Sequence, residues 1–212
     1  MKLQWCGQSG FLLTSDRGTK ILTDPFNKHL GYPVPRYEVD AITVSHNHYD
    51  HNYIRAVPNY TDIPVLRTVG RWQIKDIALA SYKAFHDESE GAERGENLIF
   101  IFQCDGLRIA HLGDLGHLLP SEDCFYHLDV MLVPLGGRPY TIGASEARLI
   151  MQRFKPRLLI PMHYKTAALK YQLDDLTSFL AGQEVIFWPN TTVEIKRDNL
   201  PLQSTIAVFN CY

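Results

Sequence analysis

The hydrophobic positions of this chain fall in short runs separated by turn formers, a pattern of strands more than of long helices. Between Lys2 and Asp24, the runs Phe11-Leu12-Leu13 and Ile21-Leu22-Thr23 flank Ser15-Asp16-Arg17-Gly18, which predicts a β-hairpin and two opening strands. The β-branched run Ala41-Ile42-Thr43-Val44 follows a loop containing Pro33 and Pro35 and leads into Ser45-His46-Asn47-His48-Tyr49-Asp50-His51. Those polar residues therefore stand at the C-terminal end of a strand. Further strands are predicted at 64–66, 84–85, 98–102, 107–110, 130–133, 158–160, 185–187 and 191–193, with Asp105-Gly106 the strongest hairpin signal in the chain. Helices are expected at 52–57, 70–78, 144–154 (opened by Ser145-Glu146) and 173–180. Hairpins come first and strand–helix alternation later, which predicts an α/β (α+β) class with sheets packed face to face and helices outside them.

Composition narrows this without changing it. With 212 residues, 45% hydrophobic and 21% charged, the chain can bury a sizeable core, and we expect one domain spanning residues 1–212. The formal net charge is -2 and no run of like charge is present, so nucleic acid is not favoured as a partner. Cys6, Cys104, Cys124 and Cys211 form no CxxC pair, which argues for reduced, mostly buried thiols in a cytoplasmic protein. No window approaches the roughly 18 apolar residues of a membrane span, and Met1 to Gly7 is too short in apolar content for a signal segment.

The chemistry concentrates after the third predicted strand. His46, His48, Asp50 and His51 fall within six residues, and imidazole with carboxylate suits Zn²⁺ and related divalent ions. Two histidines at i and i+2 on an extended segment face one way, so one ion can collect both, while Asp50 and His51 turn toward a second position. One loop supplies too few ligands, and the rest stand at strand ends: His86 after Ala84-Phe85, Asp114 after Ile109 to Gly113, His163 after Leu159 to Met162. Residues just past apolar strands are where functional groups gather in α/β sheets. Arg94, in the polar glycine-bearing loop 88–95, could pair a phosphate or carboxylate with its forked donors. His117 and Tyr140-Thr141 could line the same pocket, whereas Tyr164 reads as packing.

The motif His46-Asn47-His48-Tyr49-Asp50-His51, with Asp24, Gly113-Asp114 and His163 at strand ends, resembles the metallo-β-lactamase fold hydrolases. The runs 45–51, 91–97, 111–117 and 161–164 are closer still to the ascorbate-6-phosphate lactonase-like branch, and N-acyl phosphatidylethanolamine phospholipase D shares part of the pattern. The resemblance implies a four-layer αββα sandwich, two mixed sheets with helices outside, and an oligomer as a plausible state. It also implies that His46, His48 and a middle histidine hold one ion, that Asp50, His51 and His163 hold another, and that Asp114 bridges them. The middle histidine is His86 or His111; the longer spacing from His86 to Asp114 matches the family, leaving His111 to orient a ligand. Asp24 falls to a supporting role, accepting a hydrogen bond from a ligand histidine.

Two divalent ions about 3.5 Å apart acidify a shared water, supply hydroxide at neutral pH and stabilise the oxyanion that its attack produces. Asp50 and Asp114 would exchange a proton beside them. The expected function is therefore a metal-dependent hydrolase of a small ester, lactone or phosphate-bearing molecule with two cations, Zn²⁺ first and Mn²⁺, Ni²⁺ or Fe as alternatives. A phosphodiesterase, nucleases included, and an iron-binding redox protein stay open as other readings.

Overall fold

The computed structural model describes residues 1–209; Cys211 lies outside the described residues. The first sheet has six strands in the order β13-β1-β2-β3-β4-β5, drawn from β1 (Lys2–Gly7), β2 (Gly10–Thr14), β3 (Lys20–Thr23), β4 (Ala41–Thr43), β5 (Val65–Leu66) and β13 (Thr192–Glu194). The second has eight, β12-β14-β11-β10-β9-β8-β7-β6, from β6 (Gly70–Ile74), β7 (Ile77–Phe85), β8 (Glu96–Cys104), β9 (Leu107–His111), β10 (Val130–Pro134), β11 (Leu158–Met162), β12 (Val185–Trp188) and β14 (Thr205–Phe209). Both sheets are mixed. The expected hairpins form: β2 pairs antiparallel with β3 around Ser15 to Gly18, and Asp105 and Gly106, both at positive φ, turn β8 into β9.

Alternation explains how the sheets stack. Phe11, Leu13, Ile21 and Ala41 point into one apolar cluster with Phe100, Phe102, Ile109 and the rest of the large sheet. Their neighbours Leu12, Leu22 and Ile42 point the other way, into a second cluster with Phe26, Leu30, Tyr32, Val57 and Leu169. The six-stranded sheet is thus buried on both faces, its outer one under the irregular stretches that precede and follow β4 and under Leu169. Helices are few. α1 (Ala144–Phe154) links the parallel β10 and β11 as expected and buries Ala147, Ile150 and Phe154, while α2 is only Thr177–Leu180.

Three helix expectations need correction. Residues 70–78 form no helix: β6 and the start of β7 pair as a hairpin, Gly70 opposite Ser81 through Ile74 opposite Ile77, with Lys75 at φ 51 in the turn. Trp72 and Ile74 pack inward while Arg71 and Gln73 are exposed, the period of two that marks a strand. Only a 3-10 turn at Ile54–Ala56 forms within 52–57, and 173–180 is helical only at its end. Two strands were also unforeseen as separate elements, β1 and β14, and the short run at 84–85 is the end of the nine-residue β7.

Strand direction places the chemistry. β3 and β4 are parallel, β9, β10 and β11 are parallel, and β7 runs with β9 because both oppose β8. Asp24, the cluster at 45–51, His86, Asp114 and His163 all follow the C-terminal ends of these strands and meet along one edge of the sandwich. There the sheets are stitched together: Leu98 N donates to Ser45 O at 2.8 Å, His111 Nε2 lies 2.8 Å from Ser9 O, and His163 N donates to Gln8 O at 3.3 Å.

Candidate metal centre

Four backbone positions at this edge lie in the left-handed region: Gln8 at φ 52, Asp24 at φ 41, Gly113 at φ 56 and His163 at φ 51. For the three non-glycine residues such conformations cost about 1–3 kcal/mol each and persist where surrounding contacts enforce them, as they do around functional sites. Gly113 is required by space as well as by φ, since a Cβ there would lie 2.2 Å from Asn97 Oδ1. Asn97 is fully buried, accepts from Asp114 N at 3.0 Å and donates to Leu112 O at 2.8 Å, so it fixes the turn that presents Asp114.

Three groups of donor atoms converge: His46, His48 and His86; Asp50, His51 and His163; and His46, His51 and Asp114, each group with all its atoms within 4.8 Å of one another. Asp114 Oδ2 lies 3.1 Å from His51 Nε2, 3.2 Å from both His86 Nε2 and His163 Nε2, and 3.7 Å from His46 Nε2. Asp50 Oδ2 is 3.4 Å from His51 Nε2 and 3.8 Å from His163 Nε2. Yet the Nε2 atoms of His46, His51 and His86 and Asp114 Oδ1 are buried and make no hydrogen bond. Orphaned polar atoms at this density are foreign to a native interior unless they serve a bound species, and imidazole nitrogens with carboxylate oxygens are the donors divalent cations take.

The charge balance agrees. Burial opposes ionisation of Asp24, but the His51 hydrogen bond and the nearby imidazoles outweigh it and hold that carboxyl below its ordinary range. Burial likewise opposes ionisation of Asp114 and Asp50; His163 and His51 outweigh it for the first, His51 and His163 for the second, and both are held low. His46 is pushed down to about 2 by burial and by His51, and burial also lowers His48 and His111. Only His51 is raised, because Asp114 and Asp50 outweigh its burial. Buried carboxylates that stay ionised beside imidazoles of which His46 and His48 resist protonation call for positive charge at their centre.

The hydrogen-bond network settles two ring tautomers. Asp24 Oδ2 accepts from His51 Nδ1 at 2.9 Å, so Nε2 is the nitrogen a cation would take in place of its proton. The same oxygen accepts from Ser45 Oγ at 2.6 Å, so that hydroxyl's lone pair takes the His46 Nδ1 proton at 2.9 Å and frees His46 Nε2. Asp24 Oδ1 accepts from Ser45 N at 2.7 Å. One buried carboxylate is thus linked to His51 directly and to His46 through Ser45.

Other residues singled out from the sequence are placed variously. His86 is with the donors and His111 is not: its Nε2 lies against Ser9 O and its Nδ1 accepts from Gly113 N at 3.2 Å, so it steadies backbone around the site. Thr141 is buried, receiving Gly136 N at 2.7 Å and donating to Ile142 O at 2.9 Å, which turns it from the cleft. His117 accepts from Phe85 N at 3.1 Å and donates to Leu118 O at 2.8 Å, so neither ring nitrogen is free for a ligand. Tyr164 stacks on Trp5 at 5.5 Å, as packing. Arg94 stands at the cleft, its guanidinium 5.3 Å from the Tyr140 ring centroid and its Nε 3.3 Å from His86 Nδ1.

The cleft itself, about 350 Å³, is lined by Gln8, His48, Asp50, Asp114 and His163 with Tyr49, Tyr140 and Tyr171 among its walls. Gln8 was not foreseen. It is buried, donates Nε2 to Asp50 Oδ2 at 3.2 Å, and keeps Oε1 without a partner. Its only signal in the sequence is its place between two glycines after an apolar run, which names a turn and not a site.

Two mixed sheets with histidine and aspartate donors gathered at one shared edge define a metalloprotein of the metallo-β-lactamase fold. The model of the beta-lactamase superfamily domain matches residues 2–163. A UPF0173 metal-dependent hydrolase of Archaeoglobus fulgidus is 31% identical over 201 residues, covering 80% of this chain and 85% of its own length. A UPF0173 protein of Pyrococcus furiosus is 30% identical over 191 residues, covering 78% and 84%. A Thermotoga maritima crystal structure, described as a candidate Zn-dependent hydrolase of the metallo-β-lactamase superfamily, superposes with a TM-score of 0.76 at 30% identity over 98% of this chain and 97% of that one. The chain belongs to the UPF0173 family of metal-dependent hydrolases within the metallo-β-lactamase superfamily. No helix among the described residues is long and apolar enough to cross a membrane.

Proposed function

We propose that this protein hydrolyses a small ester, lactone or phosphate-bearing substrate at a centre for two divalent cations. His46, His48 and His86 would hold one, Asp50, His51 and His163 the other, and Asp114 both. The observation that carries the reading is the position of Asp114 Oδ2, 3.1–3.2 Å from donor nitrogens of both groups. Zn²⁺ is the first choice of metal, in keeping with the donor set and with the description of the Thermotoga relative; Mn²⁺, Ni²⁺ and Fe take the same donors.

When bound, such cations acidify water and stabilise oxyanions. The chain's own residues do the rest. Asp50 stands in the cleft wall and is held by Gln8, a position from which it would relay a proton released there. Asp24 keeps the two histidine rings turned for binding. Tyr49, Tyr140 and Tyr171 in the walls offer aromatic faces to a small substrate. The lactone arm of this reading rests on the resemblance of the runs 45–51, 91–97, 111–117 and 161–164 to the lactonase-like branch.

The test is metal analysis of protein purified without added metal, followed by a panel of lactones, aryl esters and phosphodiesters assayed with zinc, manganese and nickel. Two cations per chain and turnover that is lost in His48→Ala and Asp114→Ala support the proposal. One iron with oxygen-dependent turnover would replace it with the redox reading, and turnover confined to phosphodiesters with the phosphodiesterase reading.

A further inference from the structure

Beside the cleft lies a second, larger pocket of about 680 Å³, on the far side of His48 and Arg94, which line both. Its volume falls within the range of small-molecule sites, roughly 300–1,000 Å³. Its walls come from the loop after β4, the end of β5 and the start of β8, and they bring in a second guanidinium, that of Arg67. The electrostatics of the two cavities differ. The cleft presents Asp50 and Asp114; the pocket presents Arg67 and Arg94 with Glu96 as its single carboxylate.

Two carboxylates beside these arginines are engaged with other groups. Glu96 pairs with Lys83 at 2.5 Å. Asp87, just before the loop that carries Arg94, accepts four backbone N–H groups, from Ser89 and Gly91 on one oxygen and from Glu93 and Arg94 on the other. Neither Arg67 nor Arg94 forms an ion pair with any described residue. Arg94 is half-buried and held between an aromatic ring and an imidazole nitrogen, neither of which carries negative charge. A guanidinium held in place without an ion-pair partner can receive a carboxylate or phosphate. A cation on His86 Nε2 would also leave the ring proton on Nδ1, so Arg94 Nε would lose its present acceptor and be available to a ligand.

We propose that this pocket seats an anionic group of the substrate, a phosphate or carboxylate held between Arg67 and Arg94, while the scissile bond lies in the adjoining cleft. The idea rests on the hydrolase reading for its reaction and on the two arginines for its specificity. It makes the substrate a small molecule with the anion at one end and the hydrolysed bond at the other. Arg94 reaches both cavities and sets their spacing; Arg67 touches only the pocket.

The experiment compares matched esters and lactones that differ in a neutral, carboxylate or phosphate substituent, using the metal-loaded enzyme. Wild type is expected to prefer an anionic member at least tenfold in kcat/KM, and Arg67→Ala and Arg94→Ala each to lower that preference by tenfold or more, mostly through KM. Arg94→Lys should restore part of the phosphate preference, because a point charge attracts the anion without the fork. Inorganic phosphate binding, followed by calorimetry, should weaken by a similar factor in Arg67→Ala, and the carboxylate and phosphate arms tell which anion the site prefers. A wild-type enzyme indifferent to the substituent, or variants that keep the wild-type ratio, would overturn the proposal. Phosphate binding that depends on both arginines in a protein hydrolysing none of the panel would instead leave the anion site standing and sink the hydrolytic reading.

Discussion

Asp24→Asn isolates the role of the buried carboxylate that orients two histidines. Asparagine tolerates φ 41 and is nearly isosteric, so the backbone can stay as it is. Keeping its oxygen toward Ser45 N puts an NH₂ where Asp24 Oδ2 now accepts from both Ser45 Oγ and His51 Nδ1. Both partners must reverse: His51 presents a bare Nδ1, and the Ser45 hydroxyl turns to donate to His46 Nδ1. Each ring then carries its proton on Nε2, pointing at the cations' place. Loss of such a supporting group typically weakens metal affinity by about 10–100-fold, or about 1.4–2.7 kcal/mol. The fold should lose less, because every donor keeps a partner: exchanging charged for neutral hydrogen bonds costs about 1–2 kcal/mol, a fall in Tm of a few degrees at this chain length. Asp24→Ala differs, since it strands three buried donors at about 1–3 kcal/mol each and threatens folding itself. The assay is competition with a chromophoric chelator for Zn²⁺ or Mn²⁺, beside calorimetry of the metal-free protein. An Asp24→Asn variant that folds and binds metal within about threefold of wild type would refute the tautomer argument, and Ser45→Ala should affect only the His46 arm.

Three other outcomes are expected. Gln8→Leu keeps the size of the side chain but removes the donor to Asp50 Oδ2, so kcat should fall about tenfold, with Gln8→Glu worse because it sets two carboxylates side by side; steady-state kinetics of the metal-loaded variants decides this. Gly116→Ala would bring a Cβ to 2.2 Å from the His86 backbone carbon, displacing a donor strand end, and should reduce metal stoichiometry more than it reduces β-sheet signal in circular dichroism. Burial works against ionisation of Asp87, but the backbone N–H groups of Arg94, Gly91, Ser89 and Glu93 outweigh it and lower its pKa; its contribution is therefore full at neutral pH and drains away as pH falls below about 4 through the folded value. Urea titrations at pH 7 and at about pH 3 should show the gap between wild type and Asp87→Asn shrinking at the lower pH; a gap that widens there would contradict it.

What the chain discloses of itself follows from the range of the interactions involved. The donor residues were legible because each ends an apolar run, and a polar side chain just past a strand can only emerge at the sheet's edge. That logic needs no knowledge of partners, and it located His46, His48, Asp50, His51, His86, Asp114 and His163 together. It fails for residues whose role is set by what lies across the molecule. Asn97 reads as one polar position in the strand Glu96–Cys104, yet it holds the turn at Asp114 through contacts to Leu112 and Asp114. Thr141 and His117 failed in the opposite sense: they stand near the donors in sequence, and backbone groups occupy their polar atoms. The helix expected at 70–78 shows the same limit on a local scale, since Trp72, Ile74 and Ile77 fit a helical face and a strand face nearly equally, and pairing with β8 on the far side of β7 decides between them. Arg67 is the sharpest instance. Its sequence surroundings show only a cation after a short strand, and it takes the fold to set it with Arg94 in one pocket while Asp87 is engaged by backbone N–H groups and Glu96 by Lys83.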